Sequence, residues 1–143
     1  MSPLATTQTV IEDLLQRTTA GDPARIAELY AEHVAWELAW PEDEYDGIVP
    51  WIRNRSTRAD VEDHYRTVAE HTVPEESTAE IAAILVDGPD AVVIGALGQT
   101  VRATGDKYRV EFMLRLTVSD GLITKHHIVE DNLTIKRAFE AAR

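Results

Sequence analysis

Cysteine is missing from the 143-residue chain, and basic residues are scarce. Without cysteine, the protein has no disulfide and no thiolate metal site. The 14 Lys and Arg residues face 25 Asp and Glu residues, which gives a formal net charge of −11. Because nucleic-acid phosphates and anionic membrane surfaces both attract basic patches, this balance argues against either as a partner.

Long apolar runs are absent as well. No stretch approaches the ~20 residues that span a bilayer, and the first five residues lack the basic and apolar regions of a signal peptide. We therefore expect a cytoplasmic protein. Apolar residues still make up 44% of the chain, which is enough for one sizeable core. No repeat or shift in composition divides the sequence, so we expect a single domain over residues 1–143.

Helical and strand periodicities follow one another along the chain. Apolar spacing predicts helices over 5–20 and over 58–71. Between them, a further helix is predicted to begin at Asp22-Pro23, with Ile26, Leu29 and Tyr30 on its apolar face. Period-two alternation from His33 to Trp40 predicts a strand, and 41–56 reads as a long loop. The second half predicts strands over 77–86, 91–103, 108–118 and 122–130, then a return to helix spacing from Asp131.

The late strands are joined by turns too short for crossover helices, so neighbouring strands must run antiparallel. One sheet of this size cannot bury both of its faces alone, and the N-terminal helices must therefore cover one of them. These features predict an α+β fold in which a curved, mainly antiparallel sheet wraps around the helices. The result is a cone with an internal pocket for a small molecule.

Three stretches of the chain resemble the nuclear-transport-factor-2-like superfamily. They are Ala31-Glu32-His33-Val34-Ala35-Trp36, Val101-Arg102-Ala103-Thr104-Gly105, and the run from Leu116 through the Asp120-Gly121 turn to His126-His127-Ile128-Val129-Glu130-Asp131. That superfamily includes ketosteroid isomerase, limonene epoxide hydrolase, scytalone dehydratase and the SnoaL-like polyketide cyclases. The resemblance implies the fold above, but it covers several chemistries and names none of them.

The resemblance also suggests where a site would lie. Limonene epoxide hydrolase uses an Asp–Arg–Asp unit, and the matching positions hold Leu97, Gln99 and Ile128, so that mechanism is not supported. The same matching places Trp36, Leu38, Val110, Phe112, Leu114, His126, Ile128 and Glu130 on the pocket side. The SnoaL-like cyclases have a His and a later acid on the last strand, and His126 and Asp131 are the best matches to them.

Three ionisable residues are candidates for catalysis, and each has a structural alternative. His126 has a near-neutral pKa suited to proton transfer, or it is a hydrogen-bonded core histidine; His127 points to the opposite face. Glu130 near an apolar cavity would have a raised pKa, or it is a solvated carboxylate. Asp131 either serves as the SnoaL-like acid or caps the following helix, and the spacing favours the cap.

Aromatic, apolar and amide side chains complete the predicted site. As substrate-binding residues we predict Trp36, Leu38, Trp40, Tyr45, Trp51, Tyr65, Leu97, Gln99, Val110, Phe112, Leu114 and Ile128. Trp36 and Tyr65 are equally compatible with a plain core. The sequence has no metal-ligand spacing and no phosphate-binding glycine loop, so we expect no metal and no cofactor.

Arg109, Glu111, Met113 and Arg115 alternate with the inner residues of their strand. They predict an outer sheet face that is either a homodimer contact or solvated. His64 and His71 are seven residues apart, hence on one helix face, and we expect that face to be exposed.

The most specific interpretation of the sequence is a cofactor-free cyclase or isomerase acting on an apolar, oxygenated, polyketide-like molecule. A non-catalytic binding module and an epoxide-opening enzyme with a rearranged triad are the alternatives.

Overall fold

The computed structural model describes residues 6–41, 43 and 47–140. Its helices are α1 Thr7–Ala20, α2 Pro23–Ala27, α3 Arg58–His71 and α4 Asn132–Glu140, and a 3-10 turn covers Pro74–Glu76. Its strands are β1 Tyr30–Leu38, β2 Thr78–Asp87, β3 Asp90–Thr100, β4 Lys107–Ser119 and β5 Leu122–Glu130. The order of elements matches the sequence prediction, and the curved, mostly antiparallel sheet against N-terminal helices confirms the α+β fold.

Local signals at the helix ends explain these boundaries. The Thr6 side chain accepts a hydrogen bond from the Thr9 N–H at the start of α1, and Gly21 ends α1 in the left-handed conformation, with φ of +78°. Asp22 caps α2 in the same way as Thr6 caps α1. A capping box joins Thr57 to Asp60 at the start of α3, as the sequence predicts.

The second helix is shorter than its apolar spacing predicts. It ends at Ala27, and Tyr30 is already the first residue of β1. The expected helix face of Ile26, Leu29 and Tyr30 is therefore divided between two elements. Strand β3 is also shorter than the predicted strand over 91–103. It ends at Thr100, because residues 101–103 form the bridge and turn that lead into β4.

The five strands form one sheet in the order β1-β5-β4-β3-β2. The four late strands pair antiparallel, as expected from their short turns, whereas β1 pairs parallel with β5. This parallel pairing sets Trp36 beside His126 and Leu38 beside Ile128. Strand β2 ends the sheet, and its pairing with β3 shifts register between Ile81 and Ala83.

Two hydrophobic clusters lie on the inner side of the sheet. The first joins α1, α2 and α3 to the middle of the sheet through buried residues such as Ile11, Tyr30, Val61 and Leu116. The second joins α4 to the ends of β3 and β4, to Trp40 and to residues 48–52. Leu97 packs against both clusters. The two clusters together form an inner layer, and this layer holds most of the residues that the sequence assigns to a pocket.

Gly95 of β3 lies between Ile81 of β2 and Phe112 of β4. A Cβ atom there would collide with the carbonyl oxygen of Glu80 and would lie 3.2 Å from the ring of Phe112. At Gly98 a Cβ would meet the Thr78 hydroxyl at 2.6 Å, but that group is a side chain and can rotate away. The two glycines thus differ in what has to move to admit a methyl group.

We predict that Gly95→Ala lowers the free energy of unfolding by roughly 1–3 kcal/mol, because backbone must move to admit the methyl group. Gly98→Ala is the matched control and should cost less. Urea unfolding of the wild type and both variants measures the difference. Equal losses in the two variants would contradict this steric explanation.

Candidate active site

His126 lies in the inner layer, on a strand flanked on both sides. His126 is only 2% exposed, and its Nδ1 is 2.8 Å from the hydroxyl oxygen of Tyr30. Strand β5 lies between β1 and β4, so His126 has Trp36 beside it on one strand and Leu116 on the other. The family resemblance predicts that His126 lies on the pocket side. It does not predict the partner Tyr30, because apolar spacing assigns Tyr30 to a helix.

Aromatic rings surround this imidazole. Trp36 stacks on His126 with ring centroids 3.8 Å apart and planes 3° apart. His64 meets Trp36 edge-on at 4.8 Å and Tyr65 at 4.9 Å, and its ring centroid is 6.4 Å from that of His126. These contacts bring two imidazoles from different elements, α3 and β5, into one aromatic group.

Burial keeps both imidazoles neutral. It lowers the pKa of His126 well below the usual value of 6.5, and the neighbouring His64 and His127 act in the same direction. It lowers the pKa of His64 to about 3, with a further contribution from the positive charge of Arg55. Burial, together with the neighbouring Tyr65 hydroxyl, also raises the pKa of Tyr30. The Tyr30–His126 pair is therefore uncharged at neutral pH.

The position of His64 corrects the expectation that its helix face is solvent-exposed. His71 is exposed, but the Nδ1 of His64 is shut off from solvent and has no hydrogen-bond partner. Helix spacing showed only that the two histidines share one side of α3. It did not show that Trp36 and residues 47–56 would cover the first of them.

Arg55 holds that covering segment against α3. Its side chain is 1% exposed, and its guanidinium donates to the Asp63 carboxylate at 2.9 Å and to the Asp60 carbonyl at 2.7 Å. It also donates to the Trp51 carbonyl at 3.4 Å. Because the positive charge is paired with Asp63, the buried arginine is tolerated, and it anchors the segment beside His64.

Glu130 is the last residue of β5 and faces the inner layer. Its partner on β4 is Phe112, and its carboxylate has no hydrogen-bond or ion-pair partner among the described residues. Burial raises its pKa from 4.5 to about 7. Such a carboxyl group is partly protonated at neutral pH, and it can both donate and accept a proton there.

A tyrosine–glutamine pair lies next to Glu130. The Tyr108 hydroxyl donates to Oε1 of Gln99 on the neighbouring strand. Burial, followed by the negative charge of Glu130, raises the pKa of Tyr108 above its usual value of 10. Tyr108 therefore keeps its proton, and Gln99 keeps its amide N–H groups available as donors to a ligand oxygen.

Asp131 is exposed and is engaged at the start of α4. Its two carboxylate oxygens accept from the Thr134 N–H at 3.1 Å and from the Thr134 hydroxyl at 2.6 Å. The Thr134 hydroxyl, more than any other group, lowers the pKa of Asp131. These contacts are those of the helix cap that the sequence spacing favours.

The other predicted site residues fall into the two hydrophobic clusters. The first cluster contains Trp36, Tyr65, Leu97, Phe112, Leu114 and Ile128, and the second contains Trp40, Trp51 and Val110. Leu38 is partly exposed beside Ile128. Tyr45 lies outside the described residues. The structure therefore brings most of these side chains into one inner layer, but in two packed groups.

Two depressions of the surface lie outside the aromatic group. A groove of about 790 Å³ crosses β2, β3, β4 and β5, and it reaches Phe112 and Glu130. A second one, of about 400 Å³, lies over Gln99 and Tyr108 near Lys107. Neither is lined by His126. Of the three acid–base candidates, Glu130 and Asp131 border the larger of these two depressions.

Over 6–41, 43 and 47–140, no group of three or more His, Asp or Glu side chains is arranged to hold a metal ion. Within the same residues, no helix is long and apolar enough to cross a membrane.

A family model for the SnoaL-like domain matches residues 11–126. The chain belongs to the SnoaL-like family. The match includes β1, α3 and His126 and ends before Glu130 and Asp131. A search of curated proteins finds no match.

Solved structures agree on the fold of this SnoaL-like chain. An NTF2-like protein from Burkholderia thailandensis is 18% identical, with a TM-score of 0.79 over 94% of this chain and 98% of that one. A Bacillus subtilis protein whose name proposes an isomerase is 17% identical, with a TM-score of 0.72 over 92% and 91%. A Catenulispora acidiphila protein of ketosteroid isomerase-like fold, in complex with trimethylamine, is 11% identical, with a TM-score of 0.67 over 84% and 83%.

We predict that His64→Gln flattens the dependence of stability on pH. The folded-state pKa of His64, about 3, lies below the unfolded value of 6.5, so its contribution to stability is full above pH 6.5 and is lost as pH falls toward 3. The unfolding free energy of the wild type should therefore lose up to about 1.4 kcal/mol more per pH unit in this window. Urea unfolding at several pH values measures the slope. His71→Gln, on the same helix but exposed, should keep the wild-type slope, and a flattening in both variants would rule out this origin.

Proposed function

We propose that the chain is a cofactor-free enzyme of the isomerase or cyclase type, acting on an apolar, oxygenated small molecule. The observation that carries this proposal is Glu130, a half-buried carboxyl with no partner among the described residues, whose pKa burial raises to about 7. A structural carboxylate gains stability from a partner, whereas an unpaired one beside an apolar wall costs stability. That cost is typical of groups kept for proton transfer.

In this proposal Glu130 takes a proton from a carbon or oxygen next to a substrate carbonyl and returns it at another position. The substrate reaches the carboxyl through the groove, whose wall there is Phe112. The amide N–H groups of Gln99 offer hydrogen bonds to the oxygen on which negative charge develops. The apolar wall holds the substrate in one orientation, which by itself removes part of the barrier.

His126 and Asp131 take different roles from Glu130. His126 is neutral and buried, and its Nδ1 forms a hydrogen bond with the Tyr30 hydroxyl, so we infer that it orders the inner layer. It remains the second candidate for the base. For Asp131 we infer a capping role, because both carboxylate oxygens are bound to Thr134. We also propose a polyketide-like substrate, because the chain belongs to the SnoaL-like family and the groove has an apolar wall.

We predict that Glu130→Gln slows proton transfer by ~10²–10⁴-fold. The assay is exchange of the α-protons of cyclic ketones in D2O, followed by NMR, because exchange reports the proton step whatever the later product is. The wild-type rate should rise with pH through about 7, since the base must be ionised. Glu70→Gln, which changes an exposed carboxyl of α3, is the matched control and should keep the full rate.

His126→Gln separates the two candidates. It should slow exchange less than tenfold if Glu130 is the base. A loss of ~10²-fold or more in this variant, with Glu130→Gln close to wild type, would transfer the role to His126. If no ketone exchanges with the wild type, the binding module becomes the better account of the site.

We also propose a homodimer through the outer sheet face. Arg109, Glu111, Met113 and Arg115 are all exposed there, and Arg109 pairs with Glu80 at 3.3 Å. Apolar area mixed with both signs of charge suits a face that must match a second copy of itself. A specific contact of this kind buries roughly 800 Å² on each partner.

We predict that Glu111→Arg and Arg115→Glu each weaken this dimer, because each places like charges opposite one another. The double variant should recover part of the association. Sedimentation velocity over a range of protein concentrations measures the dissociation constant. A wild type that stays monomeric at tens of micromolar would remove the proposal.

A further inference from the structure

Tyr108 of β4 places a hydroxyl group at a fixed point beside Gln99 of β3. The residue is only 7% exposed, and it belongs to the second hydrophobic cluster with Val110, Ile135 and Phe139. Its hydroxyl donates a hydrogen bond to Oε1 of Gln99, the residue directly opposite it in the pairing of β3 with β4. Because the ring is packed in the cluster and both residues lie on paired strands, the hydroxyl has little freedom to leave this bond.

This bond decides which way the Gln99 amide faces. A glutamine amide can turn by about 180° and so exchange its oxygen, an acceptor, for its nitrogen, which donates through two N–H groups. If the Gln99 amide turned, the Tyr108 proton would be unpaired, because it has no other acceptor among the described residues. A buried donor without a partner is unfavourable. Tyr108 therefore keeps Oε1 on its own side and turns the amide nitrogen away from itself.

The amide nitrogen of Gln99 is available to a ligand. Gln99 is half-buried and lines the depression of about 400 Å³. Within the part of the chain that the structure describes, its side chain makes the bond to Tyr108 and no bond through the nitrogen. Glu76, the carboxylate that lines the same depression, is already bound by Lys107 at 3.0 Å and by the Thr100 hydroxyl at 3.3 Å. The two N–H groups thus face the depression without a competing acceptor.

We infer that Tyr108 is a positioning residue that makes the site select a carbonyl compound, because it occupies Oε1 of Gln99 and leaves only N–H donors for the substrate oxygen. The oxygen of a ketone, aldehyde or ester accepts from these donors, and the negative charge of the enolate strengthens the bond. An ammonium group, which needs an acceptor, is disfavoured. This inference rests on the proposed function for the reaction, and it adds which residue selects the functional group of the substrate.

The kinetic test uses the ketone exchange assay over a range of ketone concentrations. Gln99→Leu should lower kcat by ~10²-fold, because it removes the donors. Tyr108→Phe should lower kcat by ~10-fold and change KM by less than about twofold, because the donors remain but are no longer held where charge develops. Ile135→Val is the matched control. It removes a methyl group from the same cluster, leaves the hydroxyl in place and should keep the wild-type kcat.

A double variant separates positioning from packing. In a Gln99→Leu background, Tyr108→Phe should change kcat by less than about twofold, because the hydroxyl acts through an amide that is no longer there. A packing role would instead give the same ~10-fold loss in both backgrounds, since the cluster is the same in each.

A binding measurement tests the selection without turnover. In the 15N-labelled protein, titration with cyclohexanone should shift the side-chain NH2 resonances of Gln99, which are identified by their loss in Gln99→Leu. Cyclohexylammonium, an amine of similar size, should leave them in place. In Tyr108→Phe the shift caused by the ketone should fall to about half or less, because the amide then turns freely. Ile135→Val should keep the full shift.

Three results would overturn the inference. They are a wild-type kcat in Tyr108→Phe, an equal effect of that substitution with and without Gln99, and amide resonances that cyclohexanone leaves unmoved. If no ketone exchanges but the amide shifts follow the expected pattern, the carbonyl selection stands and the proposed reaction fails. If exchange depends on Glu130 while Tyr108→Phe has no effect, the reaction stands and the role of Tyr108 fails.

Discussion

The inner layer depends on the parallel pairing of β1 with β5. These strands are neighbours in the sheet but are far apart in the sequence, where α3 and the other three strands come between them. Their register lays Trp36 flat on His126 and brings the Tyr30 hydroxyl to Nδ1 of the same imidazole. Without it, His126 would occupy the edge of the sheet, where solvent would restore an ordinary pKa. One strand pairing thus sets both the packing and the charge state of the aromatic group.

The two acid–base candidates of β5 illustrate how position along one strand divides roles. His126, in the middle of the strand, has a partner for Nδ1 and rings on its faces, so its surroundings resemble a core. Glu130, four residues further on, is desolvated in the same layer but ends the strand, where a groove reaches it. The same low-polarity surroundings keep the imidazole of His126 neutral and leave the carboxyl of Glu130 near its point of half-protonation.

Periodicity and turn residues were sufficient to predict the fold. The capping residues of α3, the Asp120-Gly121 turn and the alternation along β4 are local signals, and each one matches an observed element. The site was less predictable, because its contacts join distant parts of the chain. Tyr30 and His126 are 96 residues apart, and no local pattern links them. His64 shows the same limit, since helix spacing reveals a shared face but not what covers it.

The free edge of the sheet has a consequence for how the protein behaves when crowded or warmed. Strand β2 ends the sheet order and exposes Ile81, Leu85 and Val86, so its outer row of backbone groups is a template for strand addition by another molecule. The register shift after Ile81 interrupts that row, and the charges of Glu80 and Asp87 flank it. A partly opened chain would present the uncharged, apolar stretch between them, residues 81–86, to such a partner. An interrupted hydrogen-bonding row and flanking carboxylates are features that make the edge of a sheet a poorer template for pairing with another chain.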